Sequence, residues 1–345
     1  QIATTHLLPP TTSHQPPATS HFVPRLLPSA AEVREAAVRL RGVAVRTSLR
    51  RSAALSELAG GDVFLKLESE QLTGSFKVRG AYNALSQLTP EQRARGVVAS
   101  SAGNHGLGVA ESAKRLGIAA TIFVPSNAPL VKKQGIAQRD ARVIDDASDY
   151  DDAMVRARKF AEETDATFLH PCLGVPLLAG QGTVASEVLD DLPSLQTMLV
   201  CVGGGGLLGG VGAFLLSDAP HVRVVGVQSE RTDAMARAIE AGHVVEIENH
   251  PTLADGLAGQ IDDDALTIGQ ATLDSIVTVT EDEIASAIAW LWLAEDVRAE
   301  GSGAVCVAAL RSGRLTHLAP PIVAIVSGSN IDAAKFEAVL ASEKK

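Results

Sequence analysis

One lysine in this sequence lies in a setting that suits covalent chemistry. Lys77 follows Gly74, Ser75 and Phe76 and falls in the first turn of a helix predicted over residues 75–85. The positive end of a helix favours the neutral form of a lysine amine, and a neutral amine is the form that makes a Schiff base with a carbonyl group. The segment therefore indicates Schiff-base chemistry, while a surface lysine without a role is the alternative.

A run of four glycines is the strongest single signal. Gly203, Gly204, Gly205 and Gly206 follow an apolar strand and precede a helix. Such a loop can wrap a phosphate with its N–H groups at a helix N-terminus. The same run also fits a dinucleotide fingerprint, because Gly204, Gly206 and Gly209 have G-x-G-x-x-G spacing and Glu230 lies 21 residues later. A nicotinamide-dependent dehydrogenase is therefore an alternative.

Two further segments lie at predicted strand ends. The first runs Ser-Ala-Gly-Asn-His-Gly over residues 101–106, and its free N–H groups could cradle a carboxylate. The second is Ser-Gly-Ser-Asn over residues 327–330, where a hydroxyl could contact a ring nitrogen. Ordinary turns with Ser and Asn caps are the alternative for both segments.

Alternating strands and helices must position these segments. Short apolar runs between turn signals predict strands over residues 63–67, 97–100, 120–124, 142–144, 167–170, 198–202, 222–227 and 322–326. Helical spacing predicts helices over residues 29–42, 75–85, 107–116, 130–138, 150–163, 207–215 and 281–294. This pattern indicates the α/β class, with two open, mostly parallel twisted sheets, helices on both faces and ligands at the carboxyl ends of the strands.

Composition narrows the possible partners. The 345 residues carry a net charge of −10 without a run of five like charges, so nucleic acid and anionic membranes are not expected partners. No apolar run approaches the length of a membrane span. Three separated cysteines argue against a disulfide framework or a zinc site, and we expect a cytoplasmic protein. Residues 1–27 are rich in Pro, Ser, Thr and His and are expected to be a disordered arm or an expression remnant.

The four segments, taken together and in this order, resemble the fold-type II pyridoxal-phosphate (PLP) family. The subgroup is that of the threonine and serine ammonia-lyases (dehydratases) and serine racemase. The resemblance covers about residues 63–333, with secondary matches at 179–183, 254–256, 279–283 and 300–301. It implies a fold similar to the tryptophan synthase β chain, with a large PLP-binding domain at 28–94 plus 176–345 and a small domain at 95–175.

The resemblance also implies a role for each site residue. Lys77 would hold the cofactor as a Schiff base and then take the α-proton of the substrate. The cofactor would be bound by Phe76 on its ring, by Gly203, Gly204, Gly205 and Gly206 at its phosphate, by Asn104 at its phenolic oxygen and by Ser327 at its pyridine nitrogen, with Glu300 lining the pocket. Ser101, Asn104 and His105 would receive the substrate carboxylate.

The implied activity is β-elimination of a small L-β-hydroxy amino acid, threonine or serine, to a 2-keto acid and ammonia. Other β-hydroxy amino acids, such as 3-hydroxyaspartate and phenylserine, remain open, as do a racemase and an inactive cofactor-binding regulator. Ala102 stands where the racemase has its second base, which disfavours racemisation because that reaction needs a proton donor on each face.

The resemblance also bears on metal binding, assembly and regulation. Gln228 replaces the glutamate through which several relatives bind a divalent cation, so no metal site of that type is expected. A homo-oligomer, dimer or tetramer, is expected. The sequence ends soon after the 327–330 segment, and we expect neither a C-terminal regulatory domain nor feedback inhibition by isoleucine.

Overall fold

A computed structural model describes residues 25–128, 130–248, 250–315 and 317–342. Most of the predicted arm at residues 1–27 lies outside them, while Leu26 and Leu27 at its end pack against an apolar cluster. The described strands are β1 (Leu49–Arg51), β2 (Val63–Lys66), β3 (Val97–Ser100), β4 (Ala120–Pro125), β5 (Arg142–Ala147), β6 (Thr167–Phe168), β7 (Thr197–Cys201), β8 (Arg223–Ser229), β9 (Ser275–Val279) and β10 (Ile322–Ile325).

The helices within the same ranges surround two sheets. They are α1 (Ala30–Arg39), α2 (Ala53–Ala59), α3 (Lys77–Ser86), α4 (Pro90–Arg95), α5 (Asn104–Leu116), α6 (Leu130–Ala137), α7 (Tyr150–Thr164), α8 (Val175–Asp191), α9 (Gly206–Asp218), α10 (Ala234–Ala241), α11 (Asp263–Thr272), α12 (Glu281–Glu295), α13 (Gly301–Arg311) and α14 (Ala333–Ser342). No helix of the described ranges is long and apolar enough to cross a membrane.

The larger sheet has six strands in the order β1-β2-β10-β7-β8-β9. All neighbouring pairs are parallel except β1 with β2, which is antiparallel at one edge. Every residue of the two central strands, β10 and β7, is buried. Their continuous apolar sequence is typical of parallel strands with helices on both faces. This arrangement confirms the predicted α/β class.

The smaller sheet has four parallel strands in the order β5-β4-β3-β6. Its shortest strand, β6, ends at Phe168, two residues before the predicted end. The chain turns there because the backbone N–H groups of Cys172 and Leu173 both donate to Nδ1 of His170, at 3.1 and 2.9 Å. This turn brings residues 171–174 towards the site described below.

The structure adjusts several predicted elements and adds others. The capping box of Ser29 and Glu32 at the start of α1 is confirmed, but the helix ends at Arg39, and Gly42 lies in the following turn with φ +73°. The elements that were not predicted are strands β1 and β9 and helices α2, α4, α8, α10, α11, α13 and α14. Nearly all of α13 is buried, so its sequence lacks the alternation of polar and apolar faces that reveals a surface helix.

Helix α3 connects the two sheets. It packs against α5 and α8, and its residues Ala81, Ala84 and Leu85 belong to the apolar cluster beneath the small sheet. The segment before it, β2, pairs within the large sheet. The helix that begins at Lys77 is thus held by packing from the small sheet and by chain connection to the large one, and the predicted domain boundaries stay a prediction.

A buried ionic cluster fixes the other side of α3. The Arg79 guanidinium donates to Glu68 at 2.8 Å and to Glu187 at 2.7 Å, and the Lys66 ammonium donates to Glu187 at 2.6 Å. Two positive and two negative groups balance one another. Removing any one partner would leave an unpaired buried charge, which is strongly destabilising. This cluster therefore anchors the helix that carries Lys77.

Candidate active site

Strand ends from both sheets meet at the start of α3. The residues after β10 bind the segment before Lys77, because Phe76 N donates to Ser327 O at 3.2 Å and Ser329 N donates to Gly74 O at 2.8 Å. Ser75 and Gly328 form an isolated antiparallel bridge. Two of the four sequence segments are thus joined directly, and the lysine lies at their junction.

The Lys77 side chain is half-buried at the first residue of α3. Its Nζ donates to Pro171 O at 2.9 Å and lies 5.2 Å from the centre of the Phe76 ring. The charge of Lys77 acts on groups on several sides, since it adds to the burial that lowers the pKa of His105 and opposes the burial that raises the pKa of Glu300. The amine therefore sits where the turn after β6 meets the other segments.

The glycine loop, residues 203–206, follows β7 and leads into α9. Gly205 has φ +83°, a left-handed conformation that favours glycine. A Cβ on Gly204 would lie 2.9 Å from Cys172 Sγ, and one on Gly206 would lie 3.0 Å from Cys172 Cα. A Cβ on Gly203 would lie 3.0 Å from Leu257 Cα. Close packing thus supplies a structural reason for these glycines that the sequence did not reveal.

The asparagine loop, residues 101–104, follows β3 and leads into α5. Asn104 is the first residue of this helix, and its Nδ2 donates to Glu300 Oε1 at 2.6 Å. Its Oδ1 accepts from Asn330 Nδ2 at 2.6 Å. Ser101 Oγ accepts from Gly103 N at 3.1 Å. The asparagine side chain therefore joins three segments that are far apart in sequence.

Glu300 is a buried carboxyl group in this contact. Burial raises its pKa to about 7, the negative charge of Asp255 acts in the same direction, and the hydrogen bond from Asn104 opposes the shift. A Cβ on Gly328 would lie 2.5 Å from Glu300 Oε1. Glycine at position 328 thus leaves the space that the carboxyl group occupies.

The imidazole of His105 is buried and points away from solvent. Its Nε2 lies 3.1 Å from Leu169 O, and Nδ1 has no partner. Burial and, to a lesser degree, the charge of Lys77 lower its pKa to about 3. The ring is therefore neutral at physiological pH and offers no positive charge to a carboxylate. Backbone N–H groups at the start of α5 have no side-chain cap and remain available for an anion.

Ser327 is buried two residues after the end of β10. Its hydroxyl donates to Ser302 O at 3.3 Å, and the Cys201 thiol also forms a hydrogen bond with it. The geometry places a neutral hydroxyl, rather than a carboxylate, at this strand end. All the predicted site residues thus lie on segments that the fold brings to one edge of the two sheets.

The comparisons with known proteins bear on what this arrangement binds. A family model described as "Pyridoxal-phosphate dependent enzyme" matches residues 40–328. The chain belongs to this family. Its members use PLP, so the dehydrogenase alternative drawn from Gly204, Gly206 and Gly209 is set aside.

Individual relatives of this family member are similar over most of their length. An L-threonine ammonia-lyase from Thermotoga maritima is 42% identical over 310 residues, covering 90% of this chain and 77% of the relative. A catabolic L-threonine dehydratase from Staphylococcus aureus is 37% identical over 317 residues, covering 90% and 92%. Maize serine racemase superposes with a TM-score of 0.86 at 30% identity, covering 92% of this chain and 98% of that one.

The residues of the PLP-family site suit the cofactor. The glycine loop is a cradle without side chains at a helix N-terminus, which matches the needs of a phosphate. A lysine amine lies at the junction of these segments, and the Asn104 amide has a second hydrogen beyond the one that Glu300 accepts. Buried hydroxyls of Ser75 and Ser100 lack partners, and such groups are uncommon unless a ligand or water satisfies them.

Sequence reasoning missed several contributors to the PLP-family site. Asn330 was noted only as part of a turn, and the apolar segment 172–177, which begins at Cys172, only as one that could shape the pocket or form a domain junction. Their roles depend on contacts with Asn104 and the glycine loop, which are distant in sequence. The run Ser-Gly-Ser-Asn after a buried strand was the one available signal for Asn330.

The prediction about a divalent-cation site concerns the end of β8, where Gln228 lies. Within the described ranges, no group of three or more His, Cys, Asp or Glu residues could hold a metal ion. The Gln228 amide is engaged by the neighbouring loop, donating to Thr232 O at 3.1 Å and accepting from Ala236 N at 2.9 Å. Asp233 pairs with Arg237 at 2.8 Å.

Proposed function

We propose that this protein is a PLP-dependent ammonia-lyase that converts L-threonine, L-serine or both to a 2-keto acid and ammonia. The observation that carries the proposal is the position of Lys77. Its Nζ donates to Pro171 O, and the next residue, Cys172, packs against the glycine loop. The similarity to a threonine ammonia-lyase at 42% identity supports the substrate class.

Each residue has a defined task in this proposal. When bound, PLP supplies the electron sink for charge that develops at the substrate α-carbon. The glycine loop would hold the cofactor phosphate, Phe76 its ring, Asn104 its phenolic oxygen and Ser327 its pyridine nitrogen. The Lys77 amine would bind the cofactor and take the α-proton, since it is the basic group at the junction of these segments.

The substrate carboxylate would bind at the asparagine loop. Because the His105 ring is neutral and bonded to Leu169 O, we assign the contribution of this residue to its backbone N–H. Ser101 and Asn104 would complete the cradle at the start of α5. A loop without a charged side chain suits this role, because the carboxylate must leave again with the product.

The decisive experiment measures 2-keto acid and ammonia from a panel of β-hydroxy amino acids. We expect purified protein with PLP to release both products from L-threonine or L-serine in equal amounts. 3-Hydroxyaspartate and phenylserine test the alternative ammonia-lyase substrates. Absence of keto acid from every member, with PLP bound, would contradict the proposal and favour the regulator alternative.

A racemase is the second candidate, because maize serine racemase shares the fold at a TM-score of 0.86. Ala102, half-buried in the asparagine loop, has no ionisable group to act as a base on the second face. We therefore expect pyruvate to form from L-serine faster than D-serine does. Chiral chromatography of the reaction measures the ratio, and an excess of D-serine would reverse the ranking.

We also propose the two-domain division at 28–94 plus 176–345 and 95–175, a homo-oligomeric assembly, and residence in the cytoplasm. The four-stranded sheet lies within 95–175 and the six-stranded sheet within the remainder, which supports the division. Sedimentation equilibrium of the purified protein would give the assembly state. A monomer at all concentrations would contradict the oligomer.

A further inference from the structure

A chain of hydrogen bonds with only one possible direction runs from Thr73 through Asn330 and Asn104 to Glu300. It begins at Thr73 O, a backbone carbonyl that can only accept. Asn330 Nδ2 donates to this oxygen at 2.8 Å and also to Asn104 Oδ1 at 2.6 Å, so both of its amide hydrogens are used. Asn104 Nδ2 then donates to Glu300 Oε1 at 2.6 Å.

The opposite orientation of the Asn104 amide is disfavoured at both ends. A flipped amide would set its NH₂ against the NH₂ of Asn330 whatever the state of Glu300, and its oxygen against an oxygen of Glu300 whenever that carboxyl group is ionised. Two donors or two acceptors that face each other cannot hydrogen-bond. Asn330 cannot turn to relieve the conflict, since its own oxygen would then face the Thr73 carbonyl. A backbone group therefore fixes the orientation of a side chain two contacts away.

The correct orientation leaves one donor free. The Asn104 Nδ2 group carries two hydrogens, and Glu300 accepts one of them. The half-buried position of Asn104 at the start of α5 leaves the second hydrogen to a ligand. In the flipped orientation, the same place would present an oxygen that has no hydrogen to donate.

We propose that Asn330 and Glu300 are positioning residues that fix the Asn104 amide so that its second hydrogen faces the phenolic oxygen of PLP. The inference rests on the proposed function, which assigns that oxygen to Asn104. It adds a role for Asn330, whose side chain does not need to touch the cofactor. It also explains Gly328, because a Cβ there would lie 2.5 Å from Glu300 Oε1 and 3.2 Å from Asn104 Nδ2.

Asn330→Asp is the sharpest test because it changes the direction of the chain with almost no change in size. Aspartate can only accept, so it should repel Thr73 O and draw Asn104 Nδ2 towards itself. The expected result is PLP binding roughly 10- to 100-fold weaker, the ratio for losing a hydrogen bond to a charged group. The absorption maximum of the bound cofactor should also shift, because its oxygen loses a donor.

Matched variants separate orientation from loop stability. Glu300→Gln keeps an oxygen acceptor for Asn104 and Glu300→Ala removes it, so PLP binding should weaken more in Glu300→Ala than in Glu300→Gln. Ser329→Ala lies in the same loop and removes the bond from its hydroxyl to Ser69 O, 3.0 Å long. It should lower the melting temperature and leave the absorption maximum unchanged. Circular dichroism of each apoprotein reports folding, and titration with PLP gives the dissociation constant.

The outcomes distinguish this inference from the proposed function. If wild-type protein binds no PLP, the proposed function fails. If wild type binds PLP and folded Asn330→Asp shows the same dissociation constant and spectrum, the positioning role is overturned while the function stands. Should Asn330→Asp not fold, Asn330→Ala removes the donor without a charge, and wild-type binding and spectrum in that variant would equally overturn the inference.

Discussion

The glycine loop and the asparagine loop follow buried parallel strands of different sheets, yet they are built by different means. The glycine loop after β7 is shaped by close packing, with Cys172 and Leu257 filling the space where side chains would be. The asparagine loop after β3 is shaped by hydrogen bonds from Asn104 to Glu300 and Asn330. The first loop uses backbone shape, and the second uses the direction of donors and acceptors.

The two loops should therefore differ in the substitutions and conditions that disturb them. A loop built by packing should respond to added volume and be indifferent to charge and pH. A loop built by hydrogen bonds should respond to charge and pH while tolerating changes of similar size. Lys77 lies between them, bonded to the turn that covers the glycine loop, and should be more sensitive than either.

The largest effect is expected at Lys77. Lys77→Ala removes the amine that the proposal uses both to bind the cofactor and to take the α-proton, so turnover should fall by roughly 10³-fold or more. The protein should still bind PLP reversibly, since both loops remain. Keto-acid release and PLP titration of the same preparation measure the two properties. Near-normal turnover in this variant would refute the assignment of Lys77.

Added volume at the glycine loop should give the next largest effect. Gly206→Ala would set a Cβ 3.0 Å from Cys172 Cα, so backbone must move, and PLP binding should weaken by roughly tenfold or more, as for overpacked sites that lose about 1–3 kcal/mol. Titration of the folded variant with PLP measures the change.

The matched control for this change is Gly117→Ala at the C-terminus of α5. Gly117 has φ +66°, and a Cβ there would meet no atom within 4 Å, so the substitution should cost about 1 kcal/mol of stability through backbone strain alone. PLP titration should give the wild-type constant for this control. Equal loss of affinity in both variants would mean that general destabilisation, rather than the loop, is responsible.

A pH-dependent effect on the stability of the apoprotein, rather than on turnover or affinity, is expected at Glu300. The folded pKa of about 7 lies above the ordinary value of 4.5, so between these pH values the folded state binds the proton and the unfolded state does not. The protonated group therefore stabilises the folded state below about pH 4.5. This contribution to the free energy of unfolding, at most about 3 kcal/mol, is lost as the pH rises from 4.5 to 7. Urea unfolding of wild type and Glu300→Gln at pH 5 and pH 8 measures it.

The neutral glutamine should remove this part of the pH dependence. The apoprotein of Glu300→Gln is therefore expected to lose less stability between pH 5 and pH 8 than wild type. Parallel pH profiles for the two proteins would show that Glu300 titrates at an ordinary pKa in the folded state.

The smallest effect is expected at Ser327. Its hydrogen bond to Ser302 O is long, at 3.3 Å, so Ser327→Ala should change PLP affinity by no more than about fivefold, or about 1 kcal/mol. Ser327→Asp should instead alter the cofactor spectrum and slow elimination, because a carboxylate would favour protonation of the pyridine nitrogen. Stopped-flow spectra with L-threonine compare the two. An unchanged spectrum and rate in Ser327→Asp would reduce Ser327 to a turn residue.

The sequence by itself determined the α/β class, most of the strands, the family and the segments that form the site. Short apolar runs bounded by Gly and Ser are local signals, and local signals survive without knowledge of the fold. Of the helices that were not predicted, α8 and α13 are buried along most of their length, so their sequences carry no helical alternation of polar and apolar residues.

Only the tertiary structure decided how the site residues are held. The neutral state of His105, the raised pKa of Glu300 and the bond from Asn330 to Asn104 depend on contacts between segments 64 to 226 residues apart. Burial and hydrogen-bond direction are properties of the packed chain, and no local pattern encodes them. The sequence thus named the chemistry, and the fold set the charge and orientation of the groups that would perform it.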